Sequence, residues 1–358
     1  MRTAVLSDLH LGARTRTDLL RDPGVRERLL SRLTGFDQVV LLGDVVELRD
    51  HPVAAAVEQA SPALEAIGAA IGGARVVLVP GNHDHRLAQE ALDRAGSHRS
   101  ERWPVVADVP APARGAAGAI RRALGTDLTV AYPGLAVAAG VWATHGHYLD
   151  AHSSAPTFEC AATALAGLVR RRPQRSLRGP DDYEAILAPA YRVYFEVAQR
   201  ERLRLLAEAG RRLVRGAETR LGTRGPTTAA ERSSDRARPR LALGGGRVGA
   251  TAGERRRPGL LPFARVLERL GVDAEHVLFG HTHRTGPLAG DDSGPWRTAA
   301  GVALWNTGCW VYEPAFVGGG HDRASPYWPG TLTTIEGSGP PRLHRLLQDL
   351  PAELLAPR

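Results

Sequence analysis

Five short runs of apolar residues each end at a polar cluster. Ala4-Val5-Leu6 precedes Ser7-Asp8-Leu9-His10, Val39-Val40-Leu41-Leu42 precedes Gly43-Asp44, and Val76-Val77-Leu78-Val79 precedes Pro80-Gly81-Asn82-His83-Asp84-His85. Further on, Val141-Trp142-Ala143 leads to Thr144-His145-Gly146-His147, and Val277-Leu278-Phe279 leads to Gly280-His281-Thr282-His283. Apolar runs this short, bounded by turn residues and rich in branched side chains, predict buried strands. Residues 25–33 and 52–71 carry apolar positions at helical spacing, so the chain begins β-α-β-α-β, which right-handed crossovers turn into a parallel sheet. Strands that all end in ligand-type residues point to one site at the carboxyl edge of the sheet.

After the loop at 80–86 the pattern predicts a short helix through Leu87 and Leu92, then a less regular region at 102–125. Strands follow at 127–132 and 135–143, joined by a hairpin about Pro133-Gly134, and they begin a second sheet or extend the first. From 156 to 214 the spacing is helical, and this insert separates two groups of candidate ligands. It is expected to form a cap or lid, with a partner surface or peripheral membrane contact as the alternative. Residues 215–258, rich in Arg, Gly, Thr and Ser, read as a flexible linker. A helix over 260–270, strands at 298–305, 309–312 and 331–335, and a final helix over 342–355 complete the chain. The expected division is a core at 1–152, a helical insertion at 153–215, a linker at 216–258 and the second part of the core at 259–358.

Composition narrows the class. With 358 residues, 43% of them hydrophobic, the chain can bury a substantial core. The two cysteines, Cys160 and Cys309, are too few for a disulfide framework and lack the spacing of a thiolate metal site. No run approaches the ~18 apolar residues of a spanning helix, and no secretory signal opens the sequence, so a cytoplasmic location is expected. The formal charge is +8, but all 46 basic residues are arginine. That uniformity suggests a coding bias, which leaves nucleic acid a partner that is not favoured.

The polar clusters offer carboxylate, imidazole and amide oxygen without thiolate, a donor set for hard or borderline divalent cations. Asp8 and His10 are two apart after a strand, as are His281 and His283, so extended geometry would turn each pair to one face. Asp44 lies between these pairs in chain order and has two oxygens with which to bridge two ions.

Taken in order, Asp-x-His, Gly-Asp, Gly-Asn-His-Asp, His-Gly-His and Gly-His-x-His resemble the calcineurin-like metallophosphoesterase superfamily, over about 1–150 and 260–340. The resemblance implies an α/β fold, two packed mixed β-sheets flanked by helices, here with a helical cap insertion. It implies that Asp8, His10, Asp44 and His283 hold one divalent ion and that Asp44, Asn82, His145 and His281 hold another, with Mn, Fe and Zn all compatible. His83 would stand by the leaving group as general acid, with Asp84 fixing its tautomer. A hydroxide bridging the two ions would be the nucleophile. Asn306-Thr307-Gly308 resembles the supporting Asn-x-Gly segment of the superfamily.

Within the superfamily, the long helix after Gly-Asp and the insert after His-Gly resemble the UDP-2,3-diacylglucosamine hydrolases, a group that has arginine where His83 stands. The expected activity is hydrolysis of a phosphomonoester or phosphodiester, lipid- or nucleotide-linked. A nuclease and a non-catalytic interaction scaffold are the alternatives, and a scaffold would be expected to lack several of these ligands. His147 reads as a neighbour of the ligands, while His85 and His152 are near the site in sequence only. His51, His98, His276, His321 and His344 read as surface or core residues. Glu47 and Asp50 read as a solvated helix start more than as contacts to metal-bound water. Arg14, Arg86 and Arg284 flank ligands and read as surface ion pairs more than as phosphate contacts.

Overall fold

The first strand, β1 (Arg2–Leu6), turns Ala4 and Leu6 to one side and Val5 to the other, and the same alternation assigns every layer of the fold. The computed structural model describes residues 1–95, 107–152, 177–201, 203, 260–314, 316–317 and 322–357. In it β1 pairs in parallel with β2 (Gln38–Leu41), β2 with β3 (Arg75–Leu78), and β3 with β5 (Leu128–Tyr132). Antiparallel strands β4 (Ala107–Pro110), β11 (Thr331–Glu336) and β12 (Arg342–Arg345) close the edges, giving the order β12-β11-β1-β2-β3-β5-β4. A second sheet runs β6 (Gly134–Ala138), β7 (Val141–Thr144), β8 (His276–Phe279), β10 (Ala303–Thr307), β9 (Thr285–Gly286).

Val5, Val40, Val77 and Ile335 of the first sheet meet Leu135, Val137, Val141 and Leu278 of the second in one buried cluster, so the two sheets are packed face to face. The opposite faces are covered by helices. α1 (Pro23–Leu30) starts where the Asp22 carboxylate accepts from the Gly24 and Val25 amides, with Pro23 at the first position. α2 (Val53–Ile71), α3 (Arg86–Ala95) and α4 (Gly115–Leu124) bury Leu64, Ile67, Leu87 and Ile120 in the cluster that also holds Val39, Leu41, Val76 and Leu78. On the second sheet α6 (Leu260–Leu270) stacks Phe263 on Phe279 with ring centroids 4.2 Å apart.

Of the expected helical insertion, α5 (Pro180–Gln199) is described; residues 153–176, Cys160 among them, 202 and 204–215 lie outside the described residues. The expected linker at 216–258 lies outside them too, as do His98 and His321. No described helix is long and apolar enough to cross a membrane.

Several boundaries depart from the pattern. The hairpin turns at Ala139-Gly140, between β6 and β7, while the Pro133 link carries the chain from the first sheet to the second. In the stretch expected to be irregular, 107–125 forms β4 and α4, the helix stopped by left-handed Gly125. The expected strand at 309–312 is a single bridge between Asp18 and Val311. The expected strand at 298–305 begins only at Ala303, because Thr298 and Val302 close a turn before it. The expected final helix over 342–355 is β12 followed by short α7 (Ala352–Leu355). Pro340-Pro341 and Pro351 bound this segment and β11 offers it an open edge, so pairing overrides its helical spacing.

Candidate active site

The strands stop just short of the residues they present. β1 ends at Leu6, β2 at Leu41 and β8 at Phe279. Beyond those ends Asp8 (φ 53°), His10 (φ 45°), Asp44 (φ 51°), His281 (φ 67°) and His283 (φ 56°) all take left-handed backbone. Such a conformation costs a non-glycine residue about 1–3 kcal/mol and persists where surrounding structure enforces it, most often at functional sites. Strand alternation therefore does not present Asp8 with His10 or His281 with His283, contrary to what their spacing suggests. Left-handed turns do.

Backbone pairing holds these turns together. Asp8 N donates to Gly43 O at 3.1 Å and His10 N to Asp44 O at 2.8 Å, laying the loop after β1 along the loop after β2. The Asp8 carboxylate accepts from Ser7 Oγ and from His281 N, the latter at 3.0 Å. His83 N donates to Asp44 Oδ1 at 2.8 Å. A Cβ at Gly81 would strike the Asp44 carboxylate and the His145 ring, and one at Gly280 would strike Ser7 and Asp8. Glycine at these two positions is what lets loops from five strands, β1, β2, β3, β7 and β8, close on one point.

All seven candidate ligands come together there. His283 Nε2 lies 3.4 Å from Asp8 Oδ1 and 3.2 Å from His10 Nε2, which is 3.7 Å from Asp44 Oδ2. On the other side of Asp44, His145 Nε2 is 3.3 Å from Asp44 Oδ2 and 3.3 Å from the Asn82 oxygen, which is 3.2 Å from His281 Nδ1. Two groups of donors able to hold an ion thus form, Asp8-His10-His283 and Asp44-His145-His281, and His10-Asp44-His83 overlaps both.

The chemistry of these donors fits cations. His145 Nδ1 donates to Leu42 O at 3.0 Å, so Nε2, which faces Asp44 and Asn82, is the nitrogen left to hold a cation once its proton is displaced. The Asn82 side-chain oxygen stands 3.2 Å from both Asp44 Oδ2 and His281 Nδ1, so acceptors crowd one point. With the amide turned over, its NH2 would donate to both, the same place filled by a donor instead of an ion. Electrostatics shows the same demand for positive charge. Burial pushes the His10 and His145 imidazoles down, yet hydrogen bonds and charges from Glu47, Asp44 and Asp8 hold them at about 9 and about 10. Despite burial, Asp8 and Asp44 are held below the usual carboxylate range, His145 being the largest favourable influence on each.

His83 is paired with Glu47 and not with Asp84. Its Nδ1 lies 2.6 Å from Glu47 Oε2, and the same oxygen lies 3.1 Å from His10 Nδ1. Glu47 is 4% exposed, so it is no solvated helix start. Burial works against its charge, but His83 and His10 hold its carboxyl well below the usual range. Asp84, fully buried, instead accepts from Val45 N and Gly81 N, both at 2.7 Å, and so shapes the loop. Contrary to expectation, Glu47 and not Asp84 fixes the His83 tautomer. The buried setting of Glu47 was legible in Val45-Val46-Glu47-Leu48, whose apolar members are all buried.

Other residues settle around this centre. Asn306 donates to Thr282 Oγ1 at 2.6 Å and accepts from Gly308 N at 3.1 Å, supporting the last histidine turn. Arg284, 7% exposed, pairs with Asp291 and lies over Trp296, so it is a buried structural residue and not a surface ion pair. His85 is buried against Glu184 of α5 at 2.9 Å, and buried His147 meets the Tyr132 hydroxyl at 2.9 Å. The other remaining cysteine, Cys309, is buried and unbridged, and burial pushes its thiol up.

Residues 1–163 match the calcineurin-like phosphoesterase family. The match supports the metallophosphoesterase superfamily, and the two mixed sheets flanked by helices agree with its α/β sandwich. With the clustered histidines and aspartates it supports a metal-dependent phosphoesterase. No curated protein matches the chain, so the narrower likeness to UDP-2,3-diacylglucosamine hydrolases gains no support.

Proposed function

We propose, with the calcineurin-like phosphoesterase match as premise, that this chain hydrolyses phosphomonoesters or phosphodiesters with two divalent cations at Asp44. The observation that carries this reading is the convergence of Asp8, His10 and His283 on one side of Asp44 and of Asn82, His145 and His281 on the other. Mixed carboxylate, imidazole and amide donors suit Mn, Fe or Zn. Two such ions, when held by these residues, would supply a nucleophile at neutral pH and polarise the phosphoryl oxygens.

The protein's own residues do the rest. Asp44, 2% exposed and fixed by the His83 amide, offers Oδ2 to both sides of the site. The side chain of His83 is 28% exposed against 18% for His283 and 15% for His281, so it is the group most open to an arriving ester. Glu47 accepts the Nδ1 hydrogen, so in the doubly protonated ring the hydrogen on Nε2, 4.0 Å from Asp44 Oδ2, is the one that can pass to the leaving oxygen, and the ring is left neutral. Such a transfer is typically worth ~10²–10⁴-fold.

The test is turnover of p-nitrophenyl phosphate and bis-p-nitrophenyl phosphate by metal-reconstituted protein. Chelator-sensitive release of p-nitrophenol, abolished in Asp44→Asn and reduced about 10²-fold or more in His83→Ala, is the expected result. Turnover that survives metal removal, or that is unchanged in both variants, would overturn the reading.

A further inference from the structure

Asp150 carries no motif, yet its Oδ1 lies 2.9 Å from His281 Nε2. Both side chains are largely buried, at 11% and 15% exposure. His281 Nδ1, the opposite ring nitrogen, lies 3.2 Å from the Asn82 oxygen, and the ring belongs to the group with Asp44 and His145. A carboxylate only accepts, so it fixes the hydrogen on Nε2 and leaves the Nδ1 lone pair facing that group. A ligating imidazole whose far nitrogen meets a carboxylate is oriented and made more basic by it.

Asp150 is itself held from outside the core. It sits on a 3-10 helix, His147–His152, against which α5 packs. The Tyr148 and Tyr183 rings stack at 4.6 Å and 6°, the Tyr148 hydroxyl donates to Glu184 Oε1 at 2.8 Å, and His152 Nε2 meets the Tyr183 hydroxyl at 2.7 Å. Glu184 also receives the Tyr132 hydroxyl and His85 Nε2, the latter three residues beyond Asn82. One α5 carboxylate thus joins the loop after β3, the end of β5 and the segment carrying Asp150. All of α5 lies beyond the residues matched by the family.

We infer that Asp150 is a positioning residue, holding His281 as an Nδ1 ligand for the cation shared with Asn82 and His145, and that α5 holds Asp150 in place through Tyr183 and Glu184. This inference rests on the two-cation reading above. It makes α5 a support of the metal centre.

Full-length wild type, Asp150→Ala, Asp150→Asn and Glu184→Gln, stripped by chelation, are titrated with Mn²⁺ by calorimetry and with Co²⁺ by visible absorption. Wild type takes up two ions. Asp150→Ala weakens one of them by ~10–100-fold and changes the Co²⁺ spectrum, while Asp150→Asn, which keeps an acceptor for the Nε2 hydrogen, recovers most of that affinity. Glu184→Gln weakens the same ion by a smaller factor, and thermal unfolding of the metal-free variants checks that they are folded. Two ions bound by Asp150→Ala as tightly as by wild type would overturn the inference alone. Fewer than two ions in wild type would overturn the two-cation reading and this inference with it.

Discussion

Glu47 Oε2 stands 2.6 Å from His83 Nδ1 and 3.1 Å from His10 Nδ1, so one buried carboxylate orients a candidate proton donor and a candidate ligand together. Removing it should therefore damage both. Glu47→Ala is expected to lower kcat/KM by about 10²-fold and to weaken one of the two ions by ~10–100-fold, measured by steady-state kinetics and metal titration. Glu47→Gln, able to accept one hydrogen bond, should fall between. A variant that loses turnover with unchanged metal affinity would detach Glu47 from His10.

Asp84 should behave differently, because its two partners are the backbone amides of Val45 and Gly81. Asp84→Ala leaves buried donors unpaired, at about 1–3 kcal/mol for each. The expected outcome is a clear loss of stability in urea, with activity falling as the loop loosens. Wild-type stability combined with a specific loss of proton donation would instead return Asp84 to the role of partner to His83.

Protons should compete with metal ions. Without cations, the carboxylates around them hold His10 at about 9 and His145 at about 10 against an ordinary 6.5. Bases raised in this way stabilise the metal-free fold fully below pH 6.5, and that contribution is lost as pH rises through about 9 to about 10. Loading a cation near neutral pH must displace those protons, so affinity should rise with pH. Calorimetry in two buffers of different ionisation heat should show net proton release, and none would contradict the assignment of these imidazoles as ligands.

His152 should act in the opposite sense. Burial, followed by Arg269 and Arg265, lowers its ring from 6.5 to about 4, so folding favours the neutral form. Its contribution is complete above pH 6.5 and is lost as pH falls toward about 4. His152→Gln should therefore be less stable than wild type at neutral pH, with a gap that narrows on acidification. A gap independent of pH would refute this.

Legibility in the sequence followed the range of the interactions. The strand ends at Leu6, Leu41 and Phe279 could be read because local apolar runs break there, and the seven ligand candidates that follow converge. The left-handed turns at Asp8, His10, Asp44, His281 and His283 leave no pattern, since they are imposed by contacts between loops. Glu47 and His83 are 36 residues apart, and Asp150 and His281 are 131 apart, so neither pairing shows in any window of sequence. The segment after Pro341 has helical spacing and became β12 because β11, joined to it by residues 337–341, offered an open edge on which it folds back as a hairpin, a pairing that the spacing of its apolar residues does not encode.

The central claim is that Asp44 stands between two cations. Crystals of metal-reconstituted protein, measured at the Mn absorption edge, test it most directly through anomalous difference density. Two peaks flanking Asp44 are expected, one against Asp8, His10 and His283 and the other against Asn82, His145 and His281. A single peak away from Asp44, or none in protein that turns over phosphoester, would contradict it.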